Sequence, residues 1–380
     1  MALQRKHKIL ALVGVALLLL WSDVSRRERR RAEEERRPTL APPEEDEEQG
    51  VSQFEEEREE GRSNEQSLPP SASNILGDAD AAYKKGRQYF QGDGVPQDDA
   101  EAVRWFRRAA DRGYVEAQNY LGVMYGKGRG VQQDYAEAVQ WYRRAAAQNS
   151  AVAQFNLGVM YQNGWGVEQD FAEAVQWYRK AAAQGLAMAQ NGLGYMYENG
   201  LGVAQDLTEA VKWYRQAANQ QELTAQYNLG VLYQNGRGVE KNLIEAARWY
   251  RKAAEQGHAE AQDLLGALYE EGAGVAQDYG EAVKWYRRAA EQGYVMAQHN
   301  LGVMYQNGYG VKQDYAEAAR WYRRAAEQGH AGAQNNLGAL YETGQGVGKD
   351  LTEAVRWYRQ AAAQGDEVAL QNLRRVEQRE

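Results

Sequence analysis

No cysteine occurs in the 380 residues. Its absence removes disulfides, thiolate metal sites, cysteine nucleophiles and lipid attachment through an N-terminal cysteine. Histidine is nearly as scarce, and His7, His258, His299 and His330 stand too far apart for an HExxH or zinc-finger spacing. There is no GxSxG elbow, no phosphate loop and no cluster of metal-ligand residue types, so the chain reads as non-enzymatic, without cofactor or metal. A net charge of −8 argues against nucleic acid as a partner, because the many arginines alternate with glutamate along the sequence. Only 6 prolines accompany 39 glycines, a mixture that an alanine-rich helical composition shows when glycine recurs by design.

Long apolar runs are also lacking, with one exception. "ILALVGVALLLLW" at residues 9–21 is thirteen residues without a charge. Spanning a bilayer takes about twenty apolar residues, while ~10–14 suits a signal-peptide hydrophobic region. Against cleavage, Leu20, Ser22 and Asp23 fit poorly where small residues are required. The preferred expectation is a short signal anchor over residues 1–25, with the following domain facing the periplasm; secretion after cleavage and a cytoplasm-facing domain are the alternatives. Basic residues flank the run on both sides, so the positive-inside rule does not choose an orientation. Residues 26–40 carry seven Arg and four Glu, and residues 41–66 carry two Arg and eleven Asp or Glu. Such a stretch cannot bury enough apolar area to offset ordering, so a disordered linker is expected over residues 26–75.

What the chain has in abundance is repetition. Trp105, Trp141, Trp177, Trp213, Trp249, Trp285, Trp321 and Trp357 are each thirty-six residues apart. In the copy "AQNYLGVMYGKGRGVQQDYAEAVQWYRRAAAQ", Ala117, Leu121, Met124 and Tyr125 share one helical stripe. Gly122 costs that helix about 1 kcal/mol against Ala, which makes sense only where a neighbour approaches closely. Gly128 is placed to cap the helix and Gly130 to turn the chain before Val131. Asp134 then starts a second helix as N-cap, with Glu137 in capping-box position. Tyr135, Ala138, Val139, Trp141, Tyr142, Ala145 and Ala146 line its broad apolar face. One hairpin cannot bury these aromatics alone, so the expected fold is an all-α, right-handed solenoid of helix-turn-helix repeats. The expected boundaries are residues 76–365 for eight repeats and 366–380 for a closing helix.

The pattern A-x(3)-L-G-x(2)-Y-x(2)-G-x-G-V-x(2)-D-x(3)-A-x(2)-W-Y-x(2)-A-A resembles the Sel-one-like repeat, a relative of the tetratricopeptide repeat. It is matched at Ala153, Leu157, Gly158, Tyr161, Gly164, Gly166, Val167, Asp170, Ala174, Trp177, Tyr178, Ala181 and Ala182. Departures include Lys85 for Leu and Phe106 for the second Tyr in the first copy, Asn242 for the capping Asp, and Asn149 and Gln221 for a terminal Gly. The resemblance implies a scaffold or adaptor that gathers other proteins or extended peptides, with the membrane met through residues 9–21. A cell-wall glycan or peptide is the alternative ligand.

Positions that change between copies carry what is individual. Asn119, Phe155, Asn191, Tyr227, Asp263, His299 and Asn335 form one row on the first helices, expected on the less buried, concave side. Tyr120, Asn156, Gly192, Asn228, Leu264, Asn300 and Asn336 form a second row, and Val123, Val159, Tyr195, Val231, Ala267, Val303 and Ala339 a third. From these rows the candidate partner-binding residues are Phe155, Asn156, Val159, Tyr195, Tyr227, Asn228, His299 and Asn300, because amides pair with a bound backbone and aromatics anchor side chains. Packing between repeats is the competing explanation for each row. Trp165 and Tyr309 occupy the freely varied slot between the two loop glycines, where Asp93, Arg129 and Gln345 also occur. That variety predicts a Trp165 at least half exposed, either covering the adjacent loop or anchoring a partner.

Overall fold

A computed structural model describes residues 70–378. The proposed anchor and the charged linker up to residue 69 lie outside the described residues. Seventeen helices follow in order, without a strand among the described residues. The first-helix series is α1 (Pro70–Gln91), α3 (Val115–Lys127), α5 (Ala151–Asn163), α7 (Ala187–Asn199), α9 (Leu223–Asn235), α11 (Ala259–Glu271), α13 (Val295–Asn307) and α15 (Ala331–Thr343). The second-helix series is α2 (Asp99–Ala110), α4 (Tyr135–Ala147), α6 (Phe171–Ala183), α8 (Leu207–Asn219), α10 (Leu243–Glu255), α12 (Tyr279–Glu291), α14 (Tyr315–Glu327) and α16 (Leu351–Ala363). α17 (Glu367–Glu377) packs on α16. Each helix touches chiefly its sequence neighbours, as a solenoid of stacked hairpins requires. The described part of α1 begins at Pro70, within the stretch expected to be linker.

Local chemistry explains the boundaries. The Asp134 carboxylate accepts the backbone N–H of Glu137 at 3.0 Å, and the same cap recurs in the seven other second helices, with Asn242 serving at 3.1 Å. The reciprocal half of a capping box does not form. The Asp134 N–H donates instead to the Tyr125 carbonyl at 2.9 Å, tying the second helix to the first. First helices stop at a left-handed glycine such as Gly128, with φ of 69°.

Glycine does two further things here. On α5, a Cβ at Gly158 would lie 2.5 Å from the Tyr178 ring, so the bare backbone is what lets α6 come this close. In the loop, Gly130 rests on the backbone carbonyl of Asp99 in the preceding copy, too near for any side chain. Gly94, in the first copy, meets nothing because no copy precedes it. The glycine at the tight turn is therefore also the seat of one hairpin on the last.

Tyr178, Tyr214, Tyr250, Tyr286, Tyr322 and Tyr358 are the largest fully buried side chains, and Trp141, Trp249, Trp285 and Trp357 are buried beside them. From the second copy on, each tryptophan joins the second helix of the copy before it, as Trp141 joins Phe106 and Ala110. At the solenoid's start Lys85 is exposed and its ammonium covers the Trp105 ring at 4.3 Å, which suits a helix facing water. The outer pairs Glu101–Arg104, Glu209–Lys212, Glu245–Arg248, Glu281–Lys284, Glu317–Arg320 and Glu353–Arg356 all form. At ~0.3–0.5 kcal/mol each, such exposed pairs serve solubility more than stability.

Two substitutions test these contacts by urea unfolding. Gly158→Ala gains helix propensity of about 1 kcal/mol, yet overpacking against Tyr178 costs ~1–3 kcal/mol, so the midpoint falls. Gly77→Ala, with open space around it in α1, keeps the gain without the clash and does not lower the midpoint. Gln221 holds φ of 67° where every other copy except the second, which has Asn149, uses glycine, and Gln221→Gly raises stability by about 1 kcal/mol by removing left-handed strain.

Candidate partner-binding faces

The first two variable rows are more buried than the sequence suggests. Asn119, Asn156, Asn191, Asp263, His299 and Asn300 are buried, which corrects their placement on a free face. The reason is pairing between copies at a separation of thirty-seven residues. The Asn228 amide donates to Asn191 at 3.3 Å, Asn300 to Asp263 at 2.9 Å, and Asn372 to Asn335 at 2.9 Å. Asn336 meets His299 Nε2 at 3.3 Å. Where the earlier residue is aromatic instead, the later one is never asparagine: Tyr83 faces Tyr120 at 5.9 Å, Phe155 precedes Gly192, and Tyr227 shares a core with Leu264. The two rows thus vary together, polar with asparagine and aromatic without it. Asn228, His299 and Asn300 are consequently engaged within the array.

Asn119 and Asn156 form the one polar pair that departs from this bonding. The Asn119 amide turns to the Ser150 hydroxyl at 2.9 Å. Val159, Tyr195, Phe155 and Tyr227 remain half-buried, with Phe155 5.7 Å from the Tyr178 ring and Tyr227 stacked on His258 at 4.5 Å. Of the valine row, Val303 and Ala267 are buried while Val123 and Val231 are not fully covered.

The loop slot follows the same rule of pairing. Trp165 stacks on Tyr135 of the preceding copy with centroids 5.5 Å apart and planes 17° apart, and is mostly covered rather than half exposed. Tyr309 stacks on Tyr279 at 5.1 Å, and Arg129 pairs with Asp99 at 3.1 Å. All three partners sit thirty residues earlier, at the first position of a second helix. A slot that looks free in the sequence is matched to its neighbour.

Three further rows of contacts recur between helices. Gln148 donates to Gln118 at 2.9 Å, and Gln118 donates to the Ala110 carbonyl of the previous copy at 3.1 Å. The relay recurs at Gln226, Gln262, Gln298 and Gln334, whereas Gln154 donates to the Asn149 side chain instead, and the first copy lacks both members together, having Ala82 and Arg112. The buried tyrosine hydroxyls donate to Gln162, Glu198, Gln234, Glu270, Gln306 and Glu342 from the first helices. In the first copy Phe106 meets Phe90, so donor and acceptor vanish as a pair. Finally, Arg143, Arg179, Arg215 and Arg287 donate to the hydroxyls of Tyr161, Tyr197, Tyr233 and Tyr305 in the next copy at 2.8, 2.8, 2.6 and 2.6 Å. Arg107, Arg251 and Arg323 bond Tyr125, Tyr269 and Tyr341 likewise.

Burial drives the Tyr178 and Tyr322 hydroxyls far above their ordinary range, so these groups stay protonated as donors. No group of three or more His, Asp or Glu suited to a metal ion exists among the described residues, and no described helix is long and apolar enough to cross a membrane.

Two histidines cap helices. His330 Nδ1 accepts the Ala333 N–H at 3.0 Å, and His258 Nδ1 accepts that of Ala261 at 3.2 Å. Burial lowers both, His330 to about 4, because the charged ring would be desolvated and would lose the lone pair that caps the helix. An unfolded histidine titrates near ~6.5. Between that value and about 4 the unfolded chain binds protons that the folded one refuses, so stability falls as pH falls through this window. His330 accounts for ~3 kcal/mol of that loss. Thermal melting against pH should show it, and His330→Asn, which keeps a capping acceptor without titrating, should flatten the acid limb.

Comparison with known proteins agrees with this geometry. The Sel1 repeat model matches residues 79–114, 115–150, 151–186, 187–222, 223–258, 259–294, 295–330 and 331–366. The chain is similar to a protective antigen of uropathogenic Escherichia coli with an SLR fold, at 40% identity and TM-score 0.73, covering 87% of this chain and 67% of that one. It is similar also to a Sel1 repeat protein from Oxalobacter formigenes, at 38% identity and TM-score 0.59, covering 80% and 89%. Sel1 and tetratricopeptide-like arrays are typically protein–protein interaction scaffolds. With its eight matched copies, the chain belongs to the Sel1 repeat family.

Proposed function

We propose that this protein is a membrane-anchored, non-enzymatic scaffold that holds partner proteins, or extended segments of them, on the concave wall made by its first helices. One observation carries the reading. Across α3 to α9 the residues Val123, Phe155, Val159, Tyr195, Tyr227 and Val231 stay partly exposed on that wall, outside the amide pairs that occupy the other positions. Apolar and aromatic groups presented at regular intervals on a rigid frame suit side-chain anchors of a partner. The run at residues 9–21 supports anchoring, and the repeat domain is assigned to the periplasmic side of that anchor.

Affinity capture with the full chain tests the wall. Phe155 and Tyr227 also pack on Tyr178 and His258, so Val159→Asp with Val231→Asp is the sharper variant. Loss of captured proteins at unchanged helical circular dichroism is the expected result; full retention places the interface elsewhere. A reporter active on only one side of the membrane, fused after Glu380, should report the periplasmic side, and cytosolic activity would reverse the orientation.

A further inference from the structure

The basic residues of the second helices are sorted by position, although the sequence interleaves them with glutamate. In the six copies where a basic residue precedes the tryptophan, it is spent on a glutamate three residues back, as in Arg104–Glu101 and Lys284–Glu281, while Gln140 and Gln176 stand there in the second and third copies. Those two and three residues after the tryptophan have uncharged supports instead. Arg143, Arg179 and Arg215 are pinned to tyrosine hydroxyls of the next copy. Arg144 and Lys180 lie over the rings of Trp141 and Trp177 at 4.3 and 3.7 Å. All five are exposed, and among the described residues none pairs with a carboxylate. A phenol oxygen and an indole face hold a cation in place while leaving its charge to solvent.

Copies two to four differ from copies five to seven at the end of the second helix. Their second helices end in Ala147, Ala183 and Asn219, whereas the next three end in Glu255, Glu291 and Glu327. The positive edge is therefore undiluted only from Arg143 to Arg215. The array also shows what such an arginine accepts. At the last step α17 carries Glu377 at the place of the tyrosine, and Arg359 holds its carboxylate at 2.7 Å.

We propose that the edge formed by Arg143, Arg144, Arg179, Lys180 and Arg215 docks an extended acidic segment of a partner protein. An extended chain rises ~3.3 Å per residue, so an acidic segment that runs past α4, α6 and α8 presents its carboxylates to the cations of successive copies. The guanidinium fork matches carboxylate geometry, and pinning one nitrogen in advance lowers the ordering cost of binding. This edge is separate from the first-helix wall, so either can fail without the other.

The test is fluorescence anisotropy of a labelled peptide of four Glu-Ser-Ser units titrated with the full chain. Saturable binding that weakens steeply with salt is expected, with at least tenfold loss in Arg143→Gln/Arg179→Gln/Arg215→Gln. That variant also removes bonds to tyrosine, so Arg144→Gln/Lys180→Gln, which leaves them intact, serves as the second: it should weaken binding at an unchanged melting temperature. Equal affinity for a Gln-Ser-Ser peptide, no effect of the second variant, or equally tight binding of a single-stranded oligonucleotide of the same charge would each overturn the proposal.

Discussion

A glycine in each first helix lies against an aromatic ring from the second helix of the same hairpin, Phe106 in the first copy and a tyrosine in the other seven, and the rest of the array depends on that closeness. Because Gly158 offers no Cβ, α5 and α6 approach until the Tyr178 ring is wholly enclosed. Enclosure obliges the hydroxyl to find an acceptor, which Gln162 supplies. A buried donor left unpaired would cost about 1–3 kcal/mol, and from the third copy to the eighth each buried tyrosine has its Gln or Glu acceptor on the first helix. The first copy shows the converse, with Phe106 and Phe90 dispensing with both. The tryptophan next to each tyrosine turns the other way and completes the previous copy, so intrahelical spacing becomes contact between hairpins.

Polar groups add order to this apolar frame. Glutamine relays run from second helix to first helix to the preceding second helix, and arginines reach forward to the next tyrosine. The variable rows obey the same logic one pair at a time, as with Asn300 and Asp263 or Trp165 and Tyr135. Eight near-identical hairpins could stack in many orders. Matched pairs favour the native succession, since an asparagine placed over Phe155 or Tyr227 would find no partner amide. Variation between copies thus serves adjacency first, and a surface for partners is what pairing leaves over: the half-covered valines and aromatics of the first helices and the unclaimed cations of the second-helix edge.

The beat of thirty-six residues, helix starts at Asp134 and its equivalents, stops at Gly128 and its equivalents, and the buried face around Trp141 and Tyr142 were all legible in the chain. Each rests on local geometry or on a period that the sequence displays directly. The candidate site was legible only as a set of rows. Spacing within one helix shows that Asn119 and Asn156 are equivalent positions one residue out of step, but not that such positions meet across copies.

By itself, then, the sequence determined an all-helical hairpin array with a period of thirty-six residues and, having no cysteine, no disulfide. Only the tertiary structure decided which variable residues are spoken for. Stacking brings together residues thirty, thirty-seven and eighteen apart, and those separations arise from how one hairpin sits on the next. Trp165 marks the difference: its loop position is written in the sequence, whereas its ring lies flat on Tyr135 because Gly166 lets the loop settle onto the helix where that tyrosine begins.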